Sequence, residues 1–199
     1  IKGDSQAMEM KHILHNGCRL HPDLFQVMRI AVTGILSYFD LVSQLYHNRT
    51  YIKIYRGMSG QDAVRTGNSI FNTQLRKKFN HQILKLLENH REEGALIVII
   101  SATPGHILEP VMAYIKPDYT ICTHLEIDSM NRFTGEPLGR ICIGEEKAER
   151  IEDLAIRRNL DLSSSYAYSD HHADLPLLEA VGKPAVVNPT GKLEKIALE

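Results

Sequence analysis

The chain has 199 residues, of which 43% are apolar and 24% charged, and its 23 Lys and Arg residues nearly balance 24 Asp and Glu residues. This composition excludes a disordered chain, which has fewer apolar residues, and argues against a nucleic-acid binder, which carries a basic excess. The length suits one domain, or a core with a small appended cap.

The first part of the chain, from Met8 to His90, has a mostly helical pattern. Pro22 and Asp23 are typical of a helix start ahead of a long apolar run. That run contains a stretch of only ten residues without a charge, from Ile30 to Phe39. Because a bilayer-spanning helix needs roughly 20 such residues, we expect no membrane span.

The segment from Ile70 to His90 has the periodicity of one amphipathic helix. Its apolar face is made of Phe71, Leu75, Phe79, Ile83, Leu86 and Leu87. Arg76, Lys77 and Lys78 lie outside this face, where a solvated surface is expected and a contact with an anionic ligand is the alternative.

After Gly94 the pattern changes to strands that alternate with helices. The predicted strands are Ala95 to Ile100, Tyr119 to Cys122, Ser165 to Tyr168 and Ala185 to Val187, and the clearest helix is Lys147 to Arg158. This alternation predicts an α/β fold with a parallel sheet. Ligands of such sheets bind beyond the carboxyl ends of the strands, so the residues that follow each strand are candidates for a site.

The first predicted strand is followed by a polar turn that contains Ser101, Thr103 and Gly105. A hydroxyl at a strand end, followed by the free amide groups of a helix start, suits the binding of phosphate oxygens. The alternative is an ordinary helix cap, since Ser, Thr, Gly and Pro are common at such turns.

Two carboxylates, Asp170 and Asp174, follow the third predicted strand. Mg²⁺ binds to one or two protein carboxylates and completes its shell with water and substrate phosphate, so both residues are candidate metal ligands. In the alternative, Asp170 is a turn residue and Asp174 a solvated acid. His171 and His172 could serve as transition-metal ligands, but adjacent side chains in such a segment are expected to diverge.

Lys147 begins the clearest helix and is the candidate cation of the site. A fixed ammonium group would stabilise negative charge on a phosphoryl group. The alternative is a surface lysine that forms ion pairs with Glu145, Glu146 and Glu149.

The three cysteines lie far apart along the chain, at Cys18, Cys122 and Cys142. Their odd number and wide spacing favour free thiols and a reducing cytosol over a disulfide framework or a thiolate zinc site. We therefore expect a cytoplasmic protein.

The order of these motifs resembles the haloacid dehalogenase superfamily of phosphatases, and within it the branch of phosphoserine phosphatase. The resemblance extends from about Arg91 to the C-terminus. It rests on the strand that ends in serine, Gly-x-x-Lys at a helix start, and Ser-Asp-x-x-x-Asp-x-Pro-Leu-Leu after a strand, followed by the segment from Val181 to Pro189. It implies a Rossmann-like core, formed by residues 1–7 and 89–199, and an inserted helical cap, formed by residues 8–88.

The resemblance also assigns roles to single residues. Ser101 would bind the phosphoryl group, Thr103 would contact substrate, and Lys147 would neutralise the phosphate. Asp170 would ligate Mg²⁺, and Asp174 would belong to the same metal site. In this family a first aspartate attacks phosphorus, and a second aspartate protonates the leaving oxygen and then activates water.

The Asp-x-Asp segment that carries those two aspartates is absent from the printed sequence. Because the residues from Ile1 to Ser5 resemble those that follow this segment in the family, we expect the nucleophile to lie upstream of Ile1. A protein without the nucleophile, which binds phosphate in a regulatory role, is the alternative. Asp4 is a candidate substrate contact or a helix cap, and Arg49 and Arg56 could meet a substrate carboxylate.

These observations together predict a Mg²⁺-dependent phosphatase that hydrolyses a small phosphorylated metabolite resembling phosphoserine. Other small phosphorylated metabolites, including histidinol phosphate, and lipid phosphates remain open as substrates. We expect no nucleic-acid partner, and the sequence does not indicate the oligomeric state.

Overall fold

The computed structural model describes residues 5–15, 24–39, 41–189 and 192–197. The first half is helical, as predicted. Its helices are α1 (Ser5–His15), α2 (Leu24–Tyr38), α3 (Gln44–Ile52), α4 (Gly60–Thr73) and α5 (His81–Glu92), with short 3₁₀ turns at Lys53–Tyr55 and Leu75–Lys78. Asp4, Cys18, Pro22 and Asp23 lie outside the described residues.

The second half alternates strands and helices. Its strands are β1 (Val98–Pro104), β2 (Tyr119–Thr123), β3 (Leu125–Ile127), β4 (Phe133–Pro137), β5 (Tyr166–Ser169) and β6 (Lys183–Val186). Its helices are α6 (Gly105–Ile115), α7 (Glu145–Arg158), α8 (Leu175–Glu179) and α9 (Lys192–Ile196), with 3₁₀ turns at Leu162–Ser164 and His172–Asp174. The predicted α/β class is therefore confirmed.

Two pairs of strands are parallel, as the alternating pattern predicted. β1 pairs with β2, and β5 pairs with β6, while β3 and β4 form an antiparallel hairpin that the sequence analysis did not predict. Within the described residues β1 and β5 do not pair with each other. The prediction placed β1 too early, because the strand runs from Val98 through Ser101 and Thr103 to Pro104.

The single helix predicted from Ile70 to His90 is wrong. The chain leaves α4 after Thr73, and Phe79 adopts an extended conformation with φ −61° and ψ 138°. Asn80 then starts α5, because its side chain accepts a hydrogen bond from the Gln82 amide at 3.0 Å. The spacing of the apolar residues survives the break, so periodicity alone could not reveal it. Residues 76–78 are exposed, as expected.

The helical segment and the α/β part share one hydrophobic core. Its buried residues include Ile52, Ile54 and Ile70 from the helices and Val111 and Leu125 from the α/β part. Backbone hydrogen bonds also join the two, from the Gly57 amide to the Phe133 carbonyl at 2.7 Å and from the Phe133 amide to the Met58 carbonyl at 2.9 Å. The division into a core and a cap stays a prediction, and the two parts pack as one body.

The contact between α4 and α6 depends on a glycine. A Cβ atom at Gly67 would lie 2.7 Å from the carbonyl oxygen of His106, closer than real carbon atoms approach. Glycine therefore allows the two helix backbones to touch, which a larger residue would prevent.

A buried carboxyl group stands in the core of the helical segment. Glu9 is 2% exposed and accepts hydrogen bonds from the hydroxyls of Tyr51, at 2.7 Å, and Tyr55. Burial raises the pKa of Glu9 to about 7, although the two tyrosine hydroxyls lower it in part. Between about pH 4.5 and pH 7 the folded protein thus keeps a proton that the unfolded chain has released.

We expect this proton to make stability depend on pH. Because the folded pKa is about 7 and the unfolded value is 4.5, the free energy of unfolding should decrease as pH rises from about 4.5 to 7 and change little above 7. The total loss is on the order of 3 kcal/mol. Urea denaturation at pH 5 and pH 8 should show this loss in the native protein and less of it in Glu9→Gln. The exposed Glu152→Gln serves as control, and equal pH dependence in all three proteins would contradict the prediction.

Both cysteines in the described part of the chain, Cys122 and Cys142, are free and buried. Burial raises the pKa of both thiols, that of Cys142 to about 11. No helix among the described residues is long and apolar enough to cross a bilayer.

Candidate active site

Lys147 lies in the first turn of α7, and its position depends on a tight turn before the helix. Gly144 precedes the helix with φ 58° and ψ −131°, a backbone conformation that glycine adopts without strain. Lys147 is only 8% exposed, so the helix carries its ammonium group into the protein instead of into solvent.

Asp174 forms an ion pair with the ammonium group of Lys147. Its Oδ1 atom lies 2.6 Å from Lys147 Nζ, and its Oδ2 atom accepts a hydrogen bond from Ser169 Oγ at 2.8 Å. Both ends of the carboxylate are therefore engaged, and the lysine is held in one position. Ser169 is the last residue of β5 and is itself buried. The sequence analysis gave it no role.

The neighbouring glutamates do not pair with Lys147, so the surface-lysine alternative fails. Glu146 instead binds Arg150 Nε at 2.6 Å, and Glu149 binds Arg140 at 2.5 Å. These ion pairs leave Lys147 to the carboxylate of Asp174.

Asp170 directly follows β5 and is exposed. Its side chain makes no hydrogen bond or ion pair with another described residue. No cluster of three or more His, Cys, Asp or Glu side chains that could hold a metal ion occurs in the described ranges. The exposed carboxylate of Asp170 suits Mg²⁺, which takes one or two protein carboxylates and otherwise binds water and phosphate. It suits Zn²⁺ poorly, because zinc needs three or four protein ligands.

The two histidines next to Asp170 do not diverge as expected. The rings of His171 and His172 stack with centroids 4.4 Å apart. His171 Nδ1 accepts a hydrogen bond from the Ala173 amide at 3.0 Å, which caps the 3₁₀ turn that ends at Asp174. Burial lowers the pKa of His171. This histidine therefore shapes the turn that carries the site.

Ser101 and Thr103 are hydrogen-bonded to each other, but neither is bonded to Lys147 among the described residues. The Thr103 amide donates to Ser101 Oγ at 3.1 Å, and both residues are half-buried. Among the described residues, no hydrogen bond or ion pair joins them to Lys147 or Asp174. The structure thus brings together Lys147, Asp174 and Ser169, and the roles of Ser101 and Thr103 at the end of β1 stay a prediction.

An open cleft of about 470 Å³ borders this site. Its lining includes Gln44, Leu45 and Arg49 of α3, and Gly144 and Glu145 at the start of α7. Ala173, the neighbour of Asp174, also lines it.

Arg49 and Arg56, the two arginines that could meet a substrate carboxylate, lie in different places. Arg49 lines the cleft, whereas Arg56 Nε donates to the Thr134 carbonyl at 3.1 Å on the β3–β4 hairpin. Asp4 lies outside the described residues.

The parallel strand β5 ends just before the exposed carboxylate of Asp170, and its last residue, Ser169, contacts Asp174, the partner of the buried Lys147. These polar groups lie at the carboxyl end of a strand of an α/β protein, where such proteins bind ligands. The family model described as haloacid dehalogenase-like hydrolase matches residues 14–179. The chain belongs to this family, as its motifs predicted.

Two curated relatives and one solved structure show how far the similarity extends. The inhibition of morphological differentiation protein of Streptomyces azureus is 38% identical over 113 residues, which cover 57% of this chain and 40% of the relative. Phosphoserine phosphatase SerB1 of Mycobacterium tuberculosis is 30% identical over 152 residues, which cover 76% of this chain and 49% of the relative. The matched region thus spans half or less of these relatives.

A protein of unknown function from Bordetella pertussis has a similar solved structure. Its TM-score is 0.80 at 22% identity, and the match covers 98% of this chain and 86% of the other. At this identity the likeness establishes the fold alone.

Proposed function

We propose that this chain forms the phosphate-binding and metal-binding part of a Mg²⁺-dependent phosphatase for a small phosphorylated metabolite. The observation that carries the proposal is the buried Lys147, held at 2.6 Å by Asp174 beside the exposed Asp170. The 30% identity to a phosphoserine phosphatase supports the reaction type.

Lys147 supplies positive charge to the phosphoryl group in this proposal. A preorganised cation in a partly buried site stabilises the charge that develops on the phosphoryl oxygens. Asp174 positions the lysine instead of binding the metal directly, since its oxygens are engaged by Lys147 and Ser169. Ser101 Oγ donates a hydrogen bond to one of the remaining phosphoryl oxygens, and the hydroxyl of Thr103 contacts the substrate.

Asp170 holds the Mg²⁺ ion. The bound ion would offset the repulsion between an anionic nucleophile and the phosphate. Exposure of Asp170 leaves room for the water and phosphate oxygens that complete the shell of Mg²⁺.

The nucleophile in this proposal is an aspartate on a further strand. Within the described residues the two parallel pairs, β1–β2 and β5–β6, each have free edges, so a further strand between the pairs would join them into one sheet. The aspartate attacks phosphorus while the bond from phosphorus to the leaving oxygen breaks, and a second carboxylate protonates that oxygen. Water then hydrolyses the aspartyl-phosphate.

The cleft beside the site would hold the rest of the substrate. Arg49 is its basic residue from the helical segment, so an acidic group on the substrate would favour binding. A cytoplasmic location also belongs to the proposal, and the two buried free thiols support it.

The test uses the full-length gene product with p-nitrophenyl phosphate, phosphoserine and histidinol phosphate, each with Mg²⁺ or with EDTA. We expect phosphate release with Mg²⁺ and at least roughly 100-fold less with EDTA. Phosphate binding without turnover would favour the regulatory alternative, and turnover that is unaffected by EDTA would contradict the metal assignment.

A further inference from the structure

The outer face of α2 is apolar and exposed along its whole length. Phe25 is 76% exposed, Ile35 60% and Phe39, just past the helix, 65%. Apolar residues recur along this face at intervals of three and four, at Phe25, Met28, Val32, Ile35 and Phe39. This is the spacing of a helix seam that packs against another helix.

The inner face of the same helix is more polar than its outer face. Thr33 and Ser37 are buried against α3, and Thr33 Oγ1 lies 3.0 Å from His47 Nδ1. His47 Nε2 in turn lies 3.0 Å from Gln6 Oε1. A surface helix normally turns its apolar face inward. Ile30 of α2 is buried in the core in this way, but most of the large apolar side chains of the helix lie on the outer face, where no described residue covers them.

The exposed patch continues from α2 into the start of α3. Its ten large side chains are each at least 47% exposed, so together they expose on the order of 1,000 Å². They are Leu24, Phe25, Met28, Val32, Ile35, Tyr38, Phe39, Leu41, Leu45 and Tyr46. A monomer rarely exposes an apolar patch above about 600 Å², whereas a standard protein interface buries about 800 Å² on each partner.

The charge of the patch decides which partner fits. From residue 24 to residue 46 the sequence has one cation, Arg29, and one anion, Asp40. A helix that lies on an anionic membrane has a polar face rich in Lys and Arg, which this segment lacks. A neutral apolar seam can instead face its own copy without repulsion between like charges.

We propose that α2 and the start of α3 form a two-fold interface between two copies of this chain. Val32 lies midway between Phe25 and Phe39, so a two-fold axis at the centre of the seam brings it against its own copy. Leu45 belongs both to the patch and to the lining of the cleft. The partner copy therefore borders the cleft of the candidate site.

The first test measures the molar mass of the full-length protein by light scattering at micromolar concentration. The native protein should be a dimer, and a double variant Val32→Glu, Ile35→Glu should dimerise roughly 100-fold more weakly or not at all. The control Ile156→Glu, on an exposed apolar residue of α7, should stay dimeric. A monomeric native protein, or a dimer unaffected by the double variant, would overturn the proposal.

The second test does not depend on a destabilising change. Val32→Cys should form an interchain disulfide under mild oxidation, whereas Ile156→Cys should not. Both variants are made in a Cys18→Ser background, because Cys18 lies outside the described residues. The thiols of Cys122 and Cys142 are buried, so the comparison reports the new cysteine. Equal cross-linking of the two variants would count against the interface. A monomer that co-sediments with vesicles of phosphatidylcholine and phosphatidylglycerol would assign the patch to membranes instead.

Discussion

Replacing Lys147 with methionine is expected to reduce phosphatase turnover of the full-length protein by roughly 1,000-fold. The same change leaves Asp174 in a mostly buried position, 15% exposed, without its cation. Loss of one partner of a buried ion pair costs about 3–5 kcal/mol, so the free energy of unfolding should decrease by that amount. Urea denaturation and a steady-state assay measure the two effects.

A double variant separates the structural role of the pair from its chemical role. Lys147→Met with Asp174→Asn removes both charges, so much of the lost stability should return while turnover stays low. Lys77→Ala, on an exposed lysine, is the control and should change neither quantity. Full turnover in the double variant would show that Lys147 acts only in folding.

Asp170→Asn should reduce turnover by roughly 100-fold or more and raise the Mg²⁺ concentration that half-saturates the enzyme. Because Asp170 is exposed and unbonded among the described residues, the substitution should change the free energy of unfolding by less than about 0.5 kcal/mol. A loss of activity without a loss of stability, together with a higher half-saturating Mg²⁺ concentration, is the result expected of a metal ligand.

The control for this substitution is Asp153→Asn, which removes an exposed carboxylate from α7. Its turnover and its Mg²⁺ dependence should match those of the native protein. If Asp170→Asn also matched the native protein, Asp170 would not be a metal ligand.

The parallel strands could be predicted from the sequence because short apolar runs that alternate with helices are local signals. The same local reasoning placed Lys147 at a helix start, but it could not decide between a surface and a buried lysine. That choice depends on Asp174, 27 residues further along the chain, and on the turn at Gly144 that aims α7. Contacts between residues so far apart are not visible in spacing.

The long helix predicted around Phe79 failed for a different reason. Its apolar residues keep a helical spacing on both sides of the break, so the pattern stays the same while the backbone turns at Asn80. Helix α2 shows a related limit. Periodicity identifies an apolar face, but it does not say whether that face points into the core or away from it.

The close contact between Gly67 and His106 links the position of α4 to the position of the end of β1, which carries Ser101 and Thr103. Pro110 lies inside α6 and has no N–H to give the carbonyl of His106, the group that Gly67 approaches. No side chain lies between the two backbones at this point, so no change of rotamer can absorb a displacement. A change in the position of α4 would therefore displace the first turn of α6 and, through Pro104, the end of β1. Variants that alter the packing of α4 would then also affect the positions of Ser101 and Thr103.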